Sequence, residues 1–171
     1  MKRFCSALCC ISLFALSALA KSKPAAGHAG MTDQQFLDFA AQTDMVEANL
    51  GQLAQSAASS QQVKDYGQML TTDHTADYQQ LSTVASQAGL TEPTAIDAAH
   101  NKALAPFHQL NGAAFDHRYA AEMVAGHTKA IALYKKEASD AQNGAIKSYA
   151  QQTLPTLEKH LDGAKALAKA K

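Results

Sequence analysis

Phe115-Asp116-His117-Arg118-Tyr119-Ala120-Ala121-Glu122-Met123-Val124-Ala125-Gly126-His127 decides the fold. Read at 3.6 residues per turn, it puts Asp116, Tyr119, Met123 and His127 on one stripe, which Ile131 and Tyr134 extend. A stripe that faces a core should be apolar, yet this one carries a carboxylate, a phenol and an imidazole. Each costs free energy to bury unless it finds a partner, and the partners must come from other helices. The segment therefore predicts a helical bundle with a polar site inside it.

The composition agrees. The chain has 171 residues, 47% hydrophobic, with no Trp, nine Gly and four Pro, as expected of one domain rich in helix formers. A chain of this length buries roughly 68% of its unfolded surface, enough for one core without staples. The three cysteines, Cys5, Cys9 and Cys10, all fall in the first ten residues and so clamp nothing in the domain.

Those first residues read as an export signal: Lys2-Arg3, an apolar run from Phe4 to Leu16, then Ala18-Leu19-Ala20 before Lys21. Cleavage after Ala20 predicts a periplasmic or secreted protein. Cys9 and Cys10 come too early for a lipidated cysteine after a cleavage site. No later segment approaches the ~18 apolar residues of a membrane span. Removal of residues 1–20 leaves 13 Lys+Arg against 15 Asp+Glu, so there is no basic field to attract nucleic acid. Residues 21–31, with Pro24, Gly27, His28 and Gly30, read as a flexible linker, and 32–168 as the domain.

The first bundle helix opens with a capping box, Thr32-Asp33-Gln34-Gln35. Its stripe of Phe36, Phe39, Ala40, Thr43, Glu47, Leu50, Leu53 and Ala54 carries Glu47, with Asp44 one turn earlier. A second capping box, Ser59-Ser60-Gln61-Gln62, starts the next helix, which carries Val63, Tyr66, Leu70, His74 and Leu81 and stops at Ala88-Gly89. Within Asp73-His74-x-x-Asp77, a neighbouring carboxylate is expected to orient the imidazole, either for a metal or as a plain hydrogen-bond partner. Residues 90–112 form a crossover with a weak helical pattern interrupted by Pro106, in which His100 and His108 read as partly exposed polar residues.

Beyond Asn111-Gly112 the opening segment runs to about Ala138. The last bundle helix then places Ile146, Tyr149, Thr153, Leu157, His160, Ala164 and Leu167 on one face. Pro155 inside it removes a backbone donor and clashes with the preceding turn, a cost of ~3 kcal/mol in a regular helix, and predicts a kink.

The two halves match each other: Phe39-Ala40-Ala41 with Tyr119-Ala120-Ala121 at an offset of 80, and Val63-Lys64-x-Tyr66 with Ile146-Lys147-x-Tyr149 at 83. Two hairpins joined by a long crossover are the ferritin-like plan, an all-α four-helix bundle whose metal ligands project inward. The pattern Phe36, Glu47, Gly51-x-Leu53-Ala54, Asp73-His74, Phe115-Asp116-x-x-Tyr119, Met123-Val124-x-x-His127 and Leu154-Pro155-x-Leu157-x-x-His160-Leu161 resembles the bacterial DUF4142 family. That resemblance implies the ferritin-like fold and export, and it brings no activity with it.

Glu47, His74, Asp116, His127 and His160 are the candidate metal ligands. The chain has no Glu-x-x-His, the signature of di-iron bundles, and its nitrogen-rich set suits divalent Zn, Cu or Ni at least as well as Fe. Register argues for division of the set. At about 1.5 Å per residue, Glu47 lies ~17 Å and His74 ~24 Å from the turn near residue 58, while His127 and His160 lie ~21 and ~28 Å from the turn near 141. Asp44 matches the level of His74 better, and Met123 that of His160, so two smaller clusters are expected. The alternative is a structural or interaction module of the cell envelope, with an envelope protein as partner, whose buried polar groups only fix helix packing. A hydrolase is the weakest reading, for there is no Gly-x-Ser-x-Gly and no cysteine after export.

Overall fold

Thr32 starts the first helix as its sequence requires. Its hydroxyl accepts from the Gln35 amide at 3.2 Å, and its own amide donates to the Gln35 side chain at 2.9 Å. The computed structural model describes residues 31–170; the stretch read as an export signal, the three cysteines and almost all of the segment read as a linker, His28 included, lie outside them. Helix α1 spans Asp33–Ala57 and α2 Gln61–Ala88. The short α3 (Ala98–Leu104) and a 3-10 turn (Phe107–Gln109) sit in the crossover, followed by α4 (Gly112–Asp140) and α5 (Gly144–Lys169).

The second capping box does not form. Ser60 is the N-cap and its side chain makes no cap. Asp116 of α4 does the capping instead, accepting from the amides of Ser59 at 3.1 Å and Ser60 at 2.9 Å, and from the Ser59 hydroxyl. Gly89 ends α2 in the left-handed conformation (φ 68°). The Leu90 amide closes back on the Ala85 carbonyl at 2.9 Å and that of Gly89 on Ser86 at 3.3 Å, a Schellman stop.

Contacts at the helix ends fix the topology. Ala58, in the α1–α2 turn, pairs with Gly112 at the start of α4. At the other end the Asn143 amide donates to Asp33, and its side chain to the Ala88 carbonyl. The crossover therefore runs the length of the bundle, α2 and α4 are parallel, and α1 and α5 are antiparallel to both. Two glutamines of α1 hold it in place. Gln34 pairs with both backbone groups of Thr91, and Gln42 bonds the Ala95 carbonyl and the Asp97 amide.

Within the first hairpin the backbones touch. A Cβ on Gly51 would lie 2.5 Å from the Gly67 carbonyl oxygen, and one on Gly67 2.7 Å from that of Gly51. Helix α5 runs on through Pro155. Tyr66 ties α2 to α5, donating to the His160 carbonyl at 2.9 Å.

The apolar core is in two parts. One holds Phe36, Ala40, Leu81, Val84, Tyr134, Ile146 and Tyr149; the other holds Leu50, Ala54, Tyr66, Leu70, Phe115, Tyr119 and Ala164. Each bundle helix passes from one part to the other at a polar residue: Glu47 on α1, His74 on α2, His127 on α4 and His160 on α5. All four are buried. The polar residues thus form one layer across the middle of the bundle.

Candidate metal centre

In that layer Glu47 Oε2 lies 3.0 Å from His74 Nε2 and 3.1 Å from His127 Nε2. One nitrogen from each of His74, His127 and His160 lies within 4.8 Å of the other two. The two clusters expected from register are therefore one. The reason is the tilt of side chains toward the N-terminus of their own helix. Glu47 on α1 and His74 on antiparallel α2 lean toward each other and close the ~7 Å left by the rise of their backbones. His127 and His160 do the same in the second hairpin. Asp44 also meets His74, as its level predicted.

Each imidazole is held by one nitrogen. His74 Nδ1 bonds Asp44 Oδ1 at 2.8 Å, His127 Nδ1 donates to the Met123 carbonyl at 2.9 Å, and His160 Nε2 bonds Asp73 Oδ2 at 2.9 Å. The other nitrogens, His74 Nε2, His127 Nε2 and His160 Nδ1, are buried and make no hydrogen bond. Glu47 Oε2 also makes none: its two imidazole neighbours are at ion-pair distance without hydrogen-bond alignment. A carbonyl only accepts, so His127 Nδ1 carries a proton and Nε2 is the nitrogen turned to the Glu47 carboxylate. A nitrogen and a carboxylate oxygen aimed at each other in this way are the donor pair a cation between them would bind. Imidazoles fixed through the far nitrogen by a carboxylate or a backbone carbonyl are what metal sites use to set tautomer and aim. Metal–ligand bonds of about 2.0–2.1 Å in a tetrahedron place ligand atoms about 3.3 Å apart, close to both Glu47–imidazole separations.

The electrostatics fit the same atoms. Burial opposes charge on His74, but Glu47 and Asp44 override it and push the imidazole up to about 10. Burial also works against the Glu47 carboxylate, yet His74 and His127 hold it below the usual range. His160 is pushed down to about 4 by burial, against its bond to Asp73, and so stays neutral with a lone pair on Nδ1. Glu47 and Asp44 thus favour the imidazolium form of His74, while burial raises Asp44 itself to about 7.

Four of the five candidate ligands converge, and Asp116 does not. It stands at the α1–α2 turn with its oxygens committed to Ser59 and Ser60. The Asp73-His74-x-x-Asp77 reading also changes. Asp73 orients His160 and Asp77 accepts from Tyr149 at 2.8 Å, because adjacent residues of a helix face different directions. The carboxylate that orients His74 is Asp44, from the neighbouring helix. His100 pairs with Asp97 in the crossover, and His108 is exposed.

Two openings reach the layer from opposite sides. A groove of about 440 Å³ between α2 and α5 is lined by Asp73, His74, Asp77 and His160. A cleft of about 210 Å³ between α1 and α4 reaches Glu47 and Met123. Gly126 also lines this cleft, and a Cβ there would come into ordinary contact with Glu47 Oε1 at 3.4 Å.

His74, His127 and His160 thus form a candidate metal-coordinating cluster in an all-helical chain, and no helix among the described residues is long and apolar enough to cross a membrane. The family model described as a domain of unknown function, DUF4142, matches residues 18–167. No curated protein and no solved structure matches the chain.

Proposed function

Starting from a chain that belongs to the DUF4142 family, we propose a protein that binds one divalent transition-metal ion through Glu47, His74, His127 and His160. The observation that supports this is the convergence of three buried imidazole nitrogens, none with an aligned hydrogen bond, beside the Glu47 carboxylate oxygen. Buried polar atoms almost always find partners. Four such atoms at one point, with the far side of each ring tied down, fit a shared ion as their partner. Three nitrogens and one oxygen favour Zn, Cu, Ni or Fe over Mg or Ca. With residues 1–20 read as an export signal, this binding is proposed to occur outside the cytoplasm.

The test is metal content. Protein purified without chelators from an extracytoplasmic fraction, starting at Lys21 by intact mass, is expected to carry close to one equivalent of transition metal by plasma mass spectrometry. Metal-stripped protein should regain one equivalent, and His127→Ala should not. Absence of uptake by the stripped wild-type protein overturns the metal reading. A full-length chain recovered in the cytoplasm overturns the export reading.

One observation favours a second reading. The Asp44–His74 bond, at 2.8 Å with both side chains 2% exposed, lets an imidazolium between two carboxylates neutralise part of the layer without an ion. On that reading the layer fixes helix packing, in a module that meets an envelope protein. Core His→Ala variants would then lose stability equally with and without added metal.

A further inference from the structure

We propose that the groove between α2 and α5 is an outer site for a hydrated divalent cation and the path by which it reaches the buried imidazoles, with Asp73 and Asp77 as its acidic wall. This rests on the metal reading above. Asp73 is 34% exposed while its Oδ2 holds His160 Nε2, and the His160 ring it holds is 1% exposed. One carboxylate therefore touches both solvent and a ring of the inner cluster. Asp77 sits one turn further along α2 on the same wall, half-buried.

The groove also meets the inner site at two points, since His74 and His160 both line it. Behind that wall lie the buried nitrogens of the inner cluster, His74 Nε2 and His160 Nδ1. At about 440 Å³ it has room for an ion with its water shell, six waters taking up about 30 Å³ each as in the liquid. Lys159 also lies on the wall, outnumbered by the two carboxylates. The cleft on the opposite side carries Glu47 and Glu122 beside Lys129, among the apolar side chains of Phe39, Val46, Leu50 and Met123, but at about 210 Å³ it is half the size and offers less room for a hydrated cation. Acidic clefts raise the local concentration and on-rate of cations by about 10-fold or more at low ionic strength.

The probe is Co²⁺, mixed rapidly with metal-stripped protein and followed by its visible absorption. Gln152→Arg puts a positive charge at the mouth of the groove, and Thr43→Arg puts one at the opposite cleft; circular dichroism and melting confirm that both variants fold. The on-rate is expected to fall about 10-fold in Gln152→Arg and to stay within about twofold of wild type in Thr43→Arg, with one equivalent still bound at saturation in both. Thr156→Arg, on the same wall as Gln152, should reproduce the slow phase. An unchanged on-rate in Gln152→Arg, or equal slowing in both variants, overturns the route while leaving the metal site standing. Wild-type protein that binds no Co²⁺, Zn²⁺ or Cu²⁺ at any rate overturns the metal reading itself.

Discussion

His127 Nε2 and Glu47 Oε2 face each other at 3.1 Å across α4 and α1 without a hydrogen bond, in a pocket where the imidazole is fully buried. The Met123 carbonyl fixes the ring, so it cannot turn to relieve the contact. On the metal reading an ion would satisfy both atoms, and binding to the folded state alone would stabilise it by linkage. At ~100-fold excess over the dissociation constant the gain is ~2.7 kcal/mol. Melting of metal-stripped protein should therefore rise on addition of Zn²⁺, and the rise should vanish in His127→Ala. His28→Ala, in the segment read from sequence as a linker, should keep it. Equal melting curves with and without metal in the wild type would defeat the expectation.

Gly51 and Gly67 set the distance between α1 and α2, and through it the meeting of Glu47 and Asp44 with His74. A Cβ on Gly51 would press within 2.5 Å of the Gly67 carbonyl and 2.7 Å of Thr71 Oγ1. The first is backbone and cannot swing away. Gly51→Ala should cost about 1–3 kcal/mol, the usual range for overpacking, seen as a lower urea midpoint. It should also weaken metal affinity by spreading the hairpin. Unchanged affinity would show that the layer tolerates the spread.

Asp116 offers the opposite separation of effects. Its carboxylate satisfies the amides of Ser59 and Ser60 at the start of α2, and loss of a helix cap costs about 0.5–2 kcal/mol. Asp116→Ala should lower stability by that amount in urea unfolding and leave metal stoichiometry and affinity unchanged. A lost equivalent of metal would return Asp116 to the ligand set.

Glu47, His74, His127 and His160 were legible because each interrupts an apolar stripe, and burial of a polar group on such a stripe needs a partner. The hairpins and crossover were legible from helix periodicity and stop signals. The partners were not, because they depend on how neighbouring helices slide and lean. Counting rise alone separated Glu47 from His74, and only the tilt of the side chains along antiparallel helices brings them together. Asp73 and Asp116 look alike in sequence, as carboxylates near a core stripe. One reaches across to α5 and the other caps a turn. Gln34 and Gln42 clamp the crossover through backbone groups, which no side-chain pattern records.

The pH dependence of the bundle should reverse when metal is added. In the metal-free protein His74 is raised to about 10 by Glu47 and Asp44, which outweigh its burial. A histidine with a folded value above its unfolded value of about 6.5 contributes stability that is complete below the unfolded value and is lost as pH rises through the folded one. Asp44, raised to about 7 chiefly by burial and against the pull of His74, acts in the same sense over a lower range. Its contribution is present below about 3.9 and is lost as pH rises through about 7. Metal-free protein should therefore melt at lower temperature as pH rises from about 6.5 to about 10, and His74→Gln should flatten that slope. With metal bound the sign changes, because His74 Nε2 must give up its proton to become a ligand. Affinity should then rise with pH from 5 to 8, and binding at pH 7 should release about one proton, read as a dependence of calorimetric enthalpy on the ionisation enthalpy of the buffer. Binding with no proton release at pH 7 would mean that His74 is already neutral in the metal-free bundle, and the imidazolium between Asp44 and Glu47 would have to be given up.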